Sequence, residues 1–307
     1  MSDEVKKRSF MTRKRRRLIF YVSIVALPVL QFCVFYIGVN FNSILLAFRR
    51  YDMLQGKYLF YGMENFTRFF LDFKEKQYLG AAVRNSLLMY AVSLSTMVIA
   101  TFFSYYIYKK KRFSMFFKIM LFFPHIVSSI TLVLMFLYFT ENAYPELVEK
   151  VFGLARPAGL VSDPQTVKGT ILFFCMWTGM GTSVLMFSGS MSGINDSVTE
   201  AAKLDGCGYI REYWHIVLPM IYPTLVTFIV VGVAGIFTHQ MALFSFFGTE
   251  AEYALYTFGY FLYRGIKTAT VSGYPYLSAA GLVLTFVAVP LTMIVRKLLN
   301  RFGPRTE

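Results

Sequence analysis

Two groups of residues in this sequence have the types and spacing to do more than pack. The first is the stretch 197–219, SVTEAAKLDGCGYIREYWHIVLP. Ser197 followed at the third position by Glu200 fits a capping box, in which the hydroxyl caps a helix start and the carboxylate reaches back to it. A short helix then carries Ala201, Ala202, Lys203 and Leu204. Asp205-Gly206 ends it, because glycine takes the left-handed conformation at a helix C-terminus. Gly208 allows a second turn, and a second helical piece bears Tyr209, Tyr213, Trp214 and Ile216 up to Leu218-Pro219. Such an elbow either caps its own helices and nothing more, or meets a partner. The second group is the pair His239-Gln240, set inside an apolar run. A polar pair there is costly unless it faces protein or a cavity. An interhelical hydrogen bond and a ligand contact are the two readings. His125 beside Pro124 reads as structural.

Other chemistry is missing from the pattern. The apolar runs hold no paired carboxylates and no cluster of metal ligands, and G-x-x-x-x-G-K-[ST], the loop that cradles nucleotide phosphates, does not occur. No catalytic residue, metal site or cofactor is expected in this chain. Cys33, Cys175 and Cys207 have the spacing of neither a disulfide framework nor a metal site, and read as packing residues.

The elements that must position these residues follow from composition. Of 307 residues, 56% are hydrophobic and only 16% charged, with a mean hydropathy of +0.52. A soluble domain carries about 25% charged residues. The charges are also clustered, leaving charge-free windows at 18–48, 85–108, 119–140, 169–195, 213–249 and 268–295. Each is long enough for a spanning helix of roughly 20 residues. The expected fold is all-α: a polytopic membrane protein with six transmembrane helices across 18–295. The first span lies in 18–48 with a kink at Pro28. Those 31 residues exceed one crossing, so its Asn40-Phe41-Asn42-Ser43 end is expected to emerge from the membrane. The next spans are placed at 86–108, 116–139 and 169–190. A fifth is entered at Pro219 and Pro223, and a sixth covers 276–295. The aromatic-rich loop 49–84 is expected to pack on the outer surface as short helices. Ser, Thr and Gly crowd the fourth span, where small residues let helix backbones approach closely.

Charge sets the orientation. The N-terminal arm 1–17 is strongly basic and abuts the first span without a cleavage site, so it reads as the cytoplasmic end of an uncleaved anchor. The loop 109–118 and the tail 296–307 are basic too, whereas 141–168 is acidic on balance. That is the positive-inside pattern, with both termini cytoplasmic and the elbow 191–220 on the same side. The basic loop 49–84 fits it less well. A nucleic-acid partner is not expected, because the basic arm leads directly into the bilayer.

The elbow also matches a family. Glu200-Ala201-Ala202, then Gly206, then Ile216, Leu218 and Pro219 reproduce the pattern E-A-A-x-x-x-G…I-x-L-P. In this the chain resembles the inner-membrane permease subunits of type I ABC importers. Ser162-Asp163-Pro164, Trp177, Asp205-Gly206-Cys207-Gly208, Arg49-Arg50-Tyr51-Asp52, Gly62-Met63-Glu64-Asn65-Phe66 and Arg84-Asn85-Ser86 make it similar to the larger permease subunit of maltose-type sugar importers. It departs from them at Ile194-Asn195, at Ser128-Ser129 and at Gly248-Thr249-Glu250, where that family often has a proline, a second proline and a glycine-rich turn.

The resemblance implies a function. The elbow would dock in a groove of a separate ATPase through Glu200, Ala201, Ala202, Asp205, Gly206, Ile216, Leu218 and Pro219. Cargo would pass Trp177, Thr178, Gly179 and Thr182 on the fourth span and Ile236, Phe237, His239 and Gln240 on the fifth. Partners would be a second homologous permease, two ATPase subunits holding ATP and Mg, and an extracellular sugar-binding protein in a bacterial cell membrane. The absence of basic residues within the spans favours a neutral sugar or oligosaccharide. The rivals are another cargo, such as a peptide or a polyol phosphate, and an ATP-independent secondary transporter. Proton or sodium coupling usually uses carboxylates in the membrane, and the assigned spans have none.

Overall fold

The computed structural model describes residues 13–304; most of the basic arm, and Arg305 in the tail, lie outside them. The first apolar window becomes one long helix, α1 (Lys14–Ala47), with Pro28 inside it and a π-helical stretch at Phe32–Gly38. Its end, Val39–Ala47, packs against the last helix and the start of the hairpin. Its remaining apolar side chains are exposed, as suits a helix surrounded by lipid or by another subunit.

The loop 49–84 departs from the expected short helices. It opens with a hairpin, β1 (Arg49–Asp52) and β2 (Lys57–Phe60), in antiparallel register with Tyr51 opposite Tyr58 and Asp52 opposite Lys57. The Asp52 carboxylate accepts the Leu54 N–H at 2.8 Å, and Gly56 supplies the positive φ of the turn. One helix follows, α2 (Glu64–Glu75), tied down by the Asn65 amide, which donates to the Ala47 and Arg49 carbonyls at 2.8 Å each. Residues 77–84 already belong to the second span.

That span, α3 (Gln77–Tyr108), is unbroken. The third is not one helix. α4 (Ser114–Ile126) and α5 (Ser129–Phe152) meet at 106°. The break falls at Val127, whose backbone is extended, and not at Pro124, which lies inside α4. The fourth span, α6 (Val167–Ser192), packs along α3 and α4. Its Gly181 explains the closeness: a Cβ there would sit 2.4 Å from the Leu121 carbonyl oxygen. The elbow helix α7 (Asp196–Leu204) and the piece α8 (Tyr209–Met220) precede α9 (Tyr222–Ala234), which turns 67° from α8. Helix then stops. The rest of that apolar window is irregular, with Met241 and Ala242 both at φ 52°, before the short α10 (Leu243–Phe247). α11 (Phe258–Thr268) and α12 (Tyr274–Phe302) complete the chain.

By length and apolar composition α1, α3, α6 and α12 each suffice to cross a bilayer, and the bent pairs α4–α5 and α8–α9 make six if each is one span. The fold is thus a helical membrane bundle with one small hairpin added. Two cores hold it. Phe69, Leu79, Ile171, Tyr256, Phe258 and Tyr260 pack at the hairpin end. Val184, Phe187, Met191, Tyr213, Val217 and Ile221 pack at the elbow end.

Candidate functional site

The elbow forms where the sequence placed it, by a different cap. Asn195, not Ser197, is the N-cap of α7: its side-chain oxygen accepts the Ser197 N–H at 3.1 Å. Ile194 is buried in the elbow-end core, which fixes the chain's frame one residue before the cap. Glu200 is thereby released from a capping role. It is exposed and enters none of the ion pairs among the described residues. The C-terminus follows the sequence closely. Gly206 takes φ +75°, its N–H donates to Lys203 at 3.1 Å, and the Cys207 N–H donates to Ala202 at 2.9 Å. Those are the paired bonds of a Schellman motif. Gly208 makes no second turn of that kind, being in ordinary extended backbone.

The two alanines part company. Ala202 is buried on the bundle while Ala201 faces out, beside exposed Asp205 and Gly206. The outward surface carries Leu204 at 89% exposure and Ile210 at 78%. Both are apolar side chains left uncovered on an otherwise polar elbow. Ile216, Leu218 and Pro219 are half-buried where α8 returns to the bundle.

What fastens the elbow is a set of tertiary contacts with no local sequence signal. Glu212, 3% exposed, pairs with Lys109 at the end of α3. Beside it the hydroxyls of Tyr213 and Thr101 are 2.7 Å apart, and the Tyr105 hydroxyl donates to the Tyr209 carbonyl at 3.1 Å. Lys111 donates to the Tyr209 hydroxyl at 2.6 Å, and that ammonium lowers the phenol below its ordinary pKa. Tyr213–Val217 is a π-helical stretch, a local widening common at functional positions. The basic run 109–112 reads in sequence as an orientation signal; nothing marks Lys109 as the partner of Glu212.

A second feature lies at the α4–α5 bend. A cavity of about 420 Å³ is lined by Pro124, His125, Ser129, Phe174, Thr178, Ala242 and Ser245, among others. The Thr178 hydroxyl donates to the Phe174 carbonyl at 2.9 Å. Thr182 and the His125 Nε2 are 2.8 Å apart. Trp177 stands in an aromatic group with Phe136 and Phe174, ring centroids 6.4 and 6.3 Å away. Gly179 faces open space. The residues from the fifth span do not join them in the way expected. Ile236 is buried, and Phe237 packs edge-on to Phe258 at 5.5 Å. Both belong to the core, because helix ends at Ala234 and the chain folds back there. His239 Nδ1 accepts the Met241 N–H at 3.0 Å, which holds the left-handed turn. Gln240 is half-buried. His125, read as structural in sequence, lines the cavity. The bend that puts it there is not written in Pro124 alone.

No group of three or more His, Cys, Asp or Glu among the described residues is placed to hold a metal.

Comparison with known proteins agrees with this architecture. The chain is 24% identical over 289 residues to the Probable ABC transporter permease protein YurN of Bacillus subtilis, covering 92% of this chain and 96% of that protein. It is 23% identical over 312 residues to the Polygalacturonan/rhamnogalacturonan transport system permease protein YteP of the same organism, covering 96% and 94%. Among solved structures it superimposes, with a TM-score of 0.74 and 17% identity, on a chain of the bacterial alginate ABC transporter in complex with alginate pentasaccharide-bound periplasmic protein, covering 94% of this chain and 96% of that one. Residues 96–307, which include both the elbow and the cavity, match the model of the binding-protein-dependent transport system inner membrane component. With most of its length inside that match, the chain belongs to the family of binding-protein-dependent transport system inner membrane components.

Proposed function

We propose that this chain is one transmembrane half of an ATP-driven importer of sugars or oligosaccharides, working with an extracellular binding protein. The observation that carries the reading is the elbow: an exposed helix–Gly–helix with Glu200 in no ion pair among the described residues and Leu204 and Ile210 bared, fastened to the bundle on its other face. Such a surface suits docking against an ATPase that supplies the energy this chain cannot. Two ATPase subunits would hold the ATP and Mg, and a second, similar permease would complete the passage. The elbow, spanning 191–220, would be cytoplasmic together with both termini. The named relatives support a saccharide cargo, since one carries polygalacturonan or rhamnogalacturonan and another structure alginate.

Those two cargoes are acidic; for this chain we favour a neutral one. The cavity at the bend offers hydroxyls (Ser129, Thr178, Ser245), an imidazole (His125) and an aromatic face (Phe174), with no Lys, Arg, Asp or Glu in its lining. Hydroxyls and rings suit neutral sugars, whereas a carboxylate in a site without a cation would be left unpaired. Alternating access would arise as parts of the bundle rock about such a site.

Reconstitution in liposomes tests both parts. Loaded binding protein should stimulate ATP hydrolysis, and Glu200→Arg with Gly206→Pro should abolish the stimulation. Persistence of full stimulation in that double variant would defeat the coupling claim. Uptake of uronate oligosaccharides in preference to neutral ones would defeat the cargo claim while leaving the importer intact.

A further inference from the structure

We propose that α3 is the rod that carries displacement of the elbow to the far side of the bundle. In this scheme Lys109–Glu212 and Thr101–Tyr213 form its inner joint, and Asn85 and Ser86 its outer joint. The proposal rests on the reading of the elbow as an ATPase contact.

α3 is one uninterrupted helix of 32 residues without a proline, about 48 Å at a rise of 1.5 Å per residue. The other routes across are interrupted: α4–α5 turns by 106°, α8–α9 by 67°, and α1 and α12 contain Pro28 and Pro290. α6 is unbroken, but it reaches the elbow through Gly193–Asn195, where the backbone leaves the helix. A link of that kind absorbs movement rather than passing it on.

At the inner end, α3 grips the second half of the elbow with side chains. Glu212 is buried, and a buried carboxylate is held to its cation more firmly than an exposed one, because leaving either charge alone in a dry site is costly. The Tyr213 ring also stacks on Phe102 at 4.8 Å and leans on Tyr105 at 5.2 Å. An elbow pushed from outside therefore takes the end of α3 with it.

At the outer end, α3 grips a different segment. The fully buried Asn85 donates its amide to the Ala254 and Tyr256 carbonyls at 2.8 and 2.9 Å, and the Phe258 N–H donates to the Ser86 hydroxyl at 3.2 Å. Lys168 donates to the Asn85 oxygen at 2.5 Å, which fixes the amide's orientation. The held segment reaches the cavity wall in one more bond. Thr257 donates to the His239 carbonyl at 2.8 Å, and His239 holds the turn that leads into Ala242 and Ser245. A continuous set of packed and hydrogen-bonded groups thus joins the elbow to the wall of the cavity. Continuity alone does not establish coupling; a double-mutant cycle across α3 does.

The cycle uses the whole transporter in liposomes, with partner permease, ATPases and binding protein. Glu212→Gln and Ser86→Ala are made singly and together, and hydrolysis is read with and without loaded binding protein. Each single variant should retain its ATPases and its basal hydrolysis, and lose about tenfold of the stimulation, a coupling of ordinary size. The double variant should be no worse than the weaker single one, since both cut the same rod. Losses that multiply, or full stimulation in either single variant, overturn the proposal. If Glu212→Gln fails to fold, Thr101→Val takes its place in the cycle. A covalent joint gives a second measurement. Lys109→Cys with Glu212→Cys, in a chain whose own cysteines are replaced by serine, should lose stimulation and regain it when bridged by a short dithiol-reactive linker. Equal stimulation before and after bridging also overturns the rod. If no ATPase co-purifies with the unsubstituted chain, the functional reading fails and the rod falls with it; if the ATPases bind and are stimulated but the cycle shows multiplying losses, the rod alone fails.

Discussion

Gly206 sits at φ +75°, where an L side chain is strained by about 1–2 kcal/mol. Gly206→Ala should therefore loosen the end of α7 without unfolding the bundle. Amide exchange at 203–207 should quicken about tenfold, since 1.4 kcal/mol is a factor of ten, while Gly206→Asn, a residue that tolerates this region, should lie between the two. Unchanged exchange in the alanine variant would mean that the Schellman turn does not need its glycine. Asp72 offers a second prediction at this scale. Its burial on α2 would raise its pKa, but the Tyr276 hydroxyl at 2.6 Å and the Lys76 ammonium at 2.9 Å outweigh that and hold it below the usual carboxylate range. Because the folded pKa lies below the unfolded one, the unfolded chain binds more protons in the interval between them, and stability rises with pH there. The contribution is full above the ordinary Asp value of about 3.9 and is lost as pH falls through the lowered value. Thermal unfolding in detergent should thus separate the native chain from Asp72→Asn at pH 6, and bring them together near pH 2. A difference that persists undiminished at the acid end would assign it to packing.

Among the elements, α6 depends on close approach more than any other. Gly181→Val would drive a side chain into the Leu121 carbonyl and part α6 from α4, at a cost of about 1–3 kcal/mol for overpacking. Gly179→Ala meets no atom within 4 Å and serves as the neutral control. Midpoints of thermal inactivation that move alike in the two variants would contradict the packing. The same helix shows how far the sequence could be read. Its charge-free window and crowd of small residues announced a close-packed span, and the E-A-A pattern announced the elbow, because both signals are local. What escaped was tertiary. Asn195 displaced Ser197 as cap because burial of Ile194 sets where the helix can start. The third span broke at Val127, three residues after its proline, where the chain turns around the cavity. Ile236 and Phe237 went into the core because α9 stops at Ala234, and an apolar window has no letter for that stop. The hairpin had a weak signal in Gln55-Gly56 between Tyr51 and Tyr58, obscured by the charges around it.

For the molecule as a whole, the geometry sorts the chain into two ends. Lys109–Glu212 and the bond from the Tyr222 hydroxyl to the Leu299 carbonyl at 2.8 Å put the basic run 109–112, the elbow and the C-terminal basic residues at one end. The hairpin, α2, the start of α12 and the segment 254–258 gather at the other, joined by Tyr58 to Val271 at 3.1 Å and Tyr276 to Asp72. By the positive-inside tendency, we propose that the more basic first end is the cytoplasmic one, despite the arginines of the hairpin. Single cysteines in a chain whose own three are replaced by serine make this measurable in intact cells. Leu54→Cys, at the fully exposed hairpin turn, should react with a membrane-impermeant maleimide from outside. Leu204→Cys, equally bare on the elbow, should react only once the membrane is opened. Labelling of Leu204→Cys in sealed cells would invert the chain in the bilayer. It would also remove the elbow from any cytoplasmic motor, and both the importer reading and the rod would fall together.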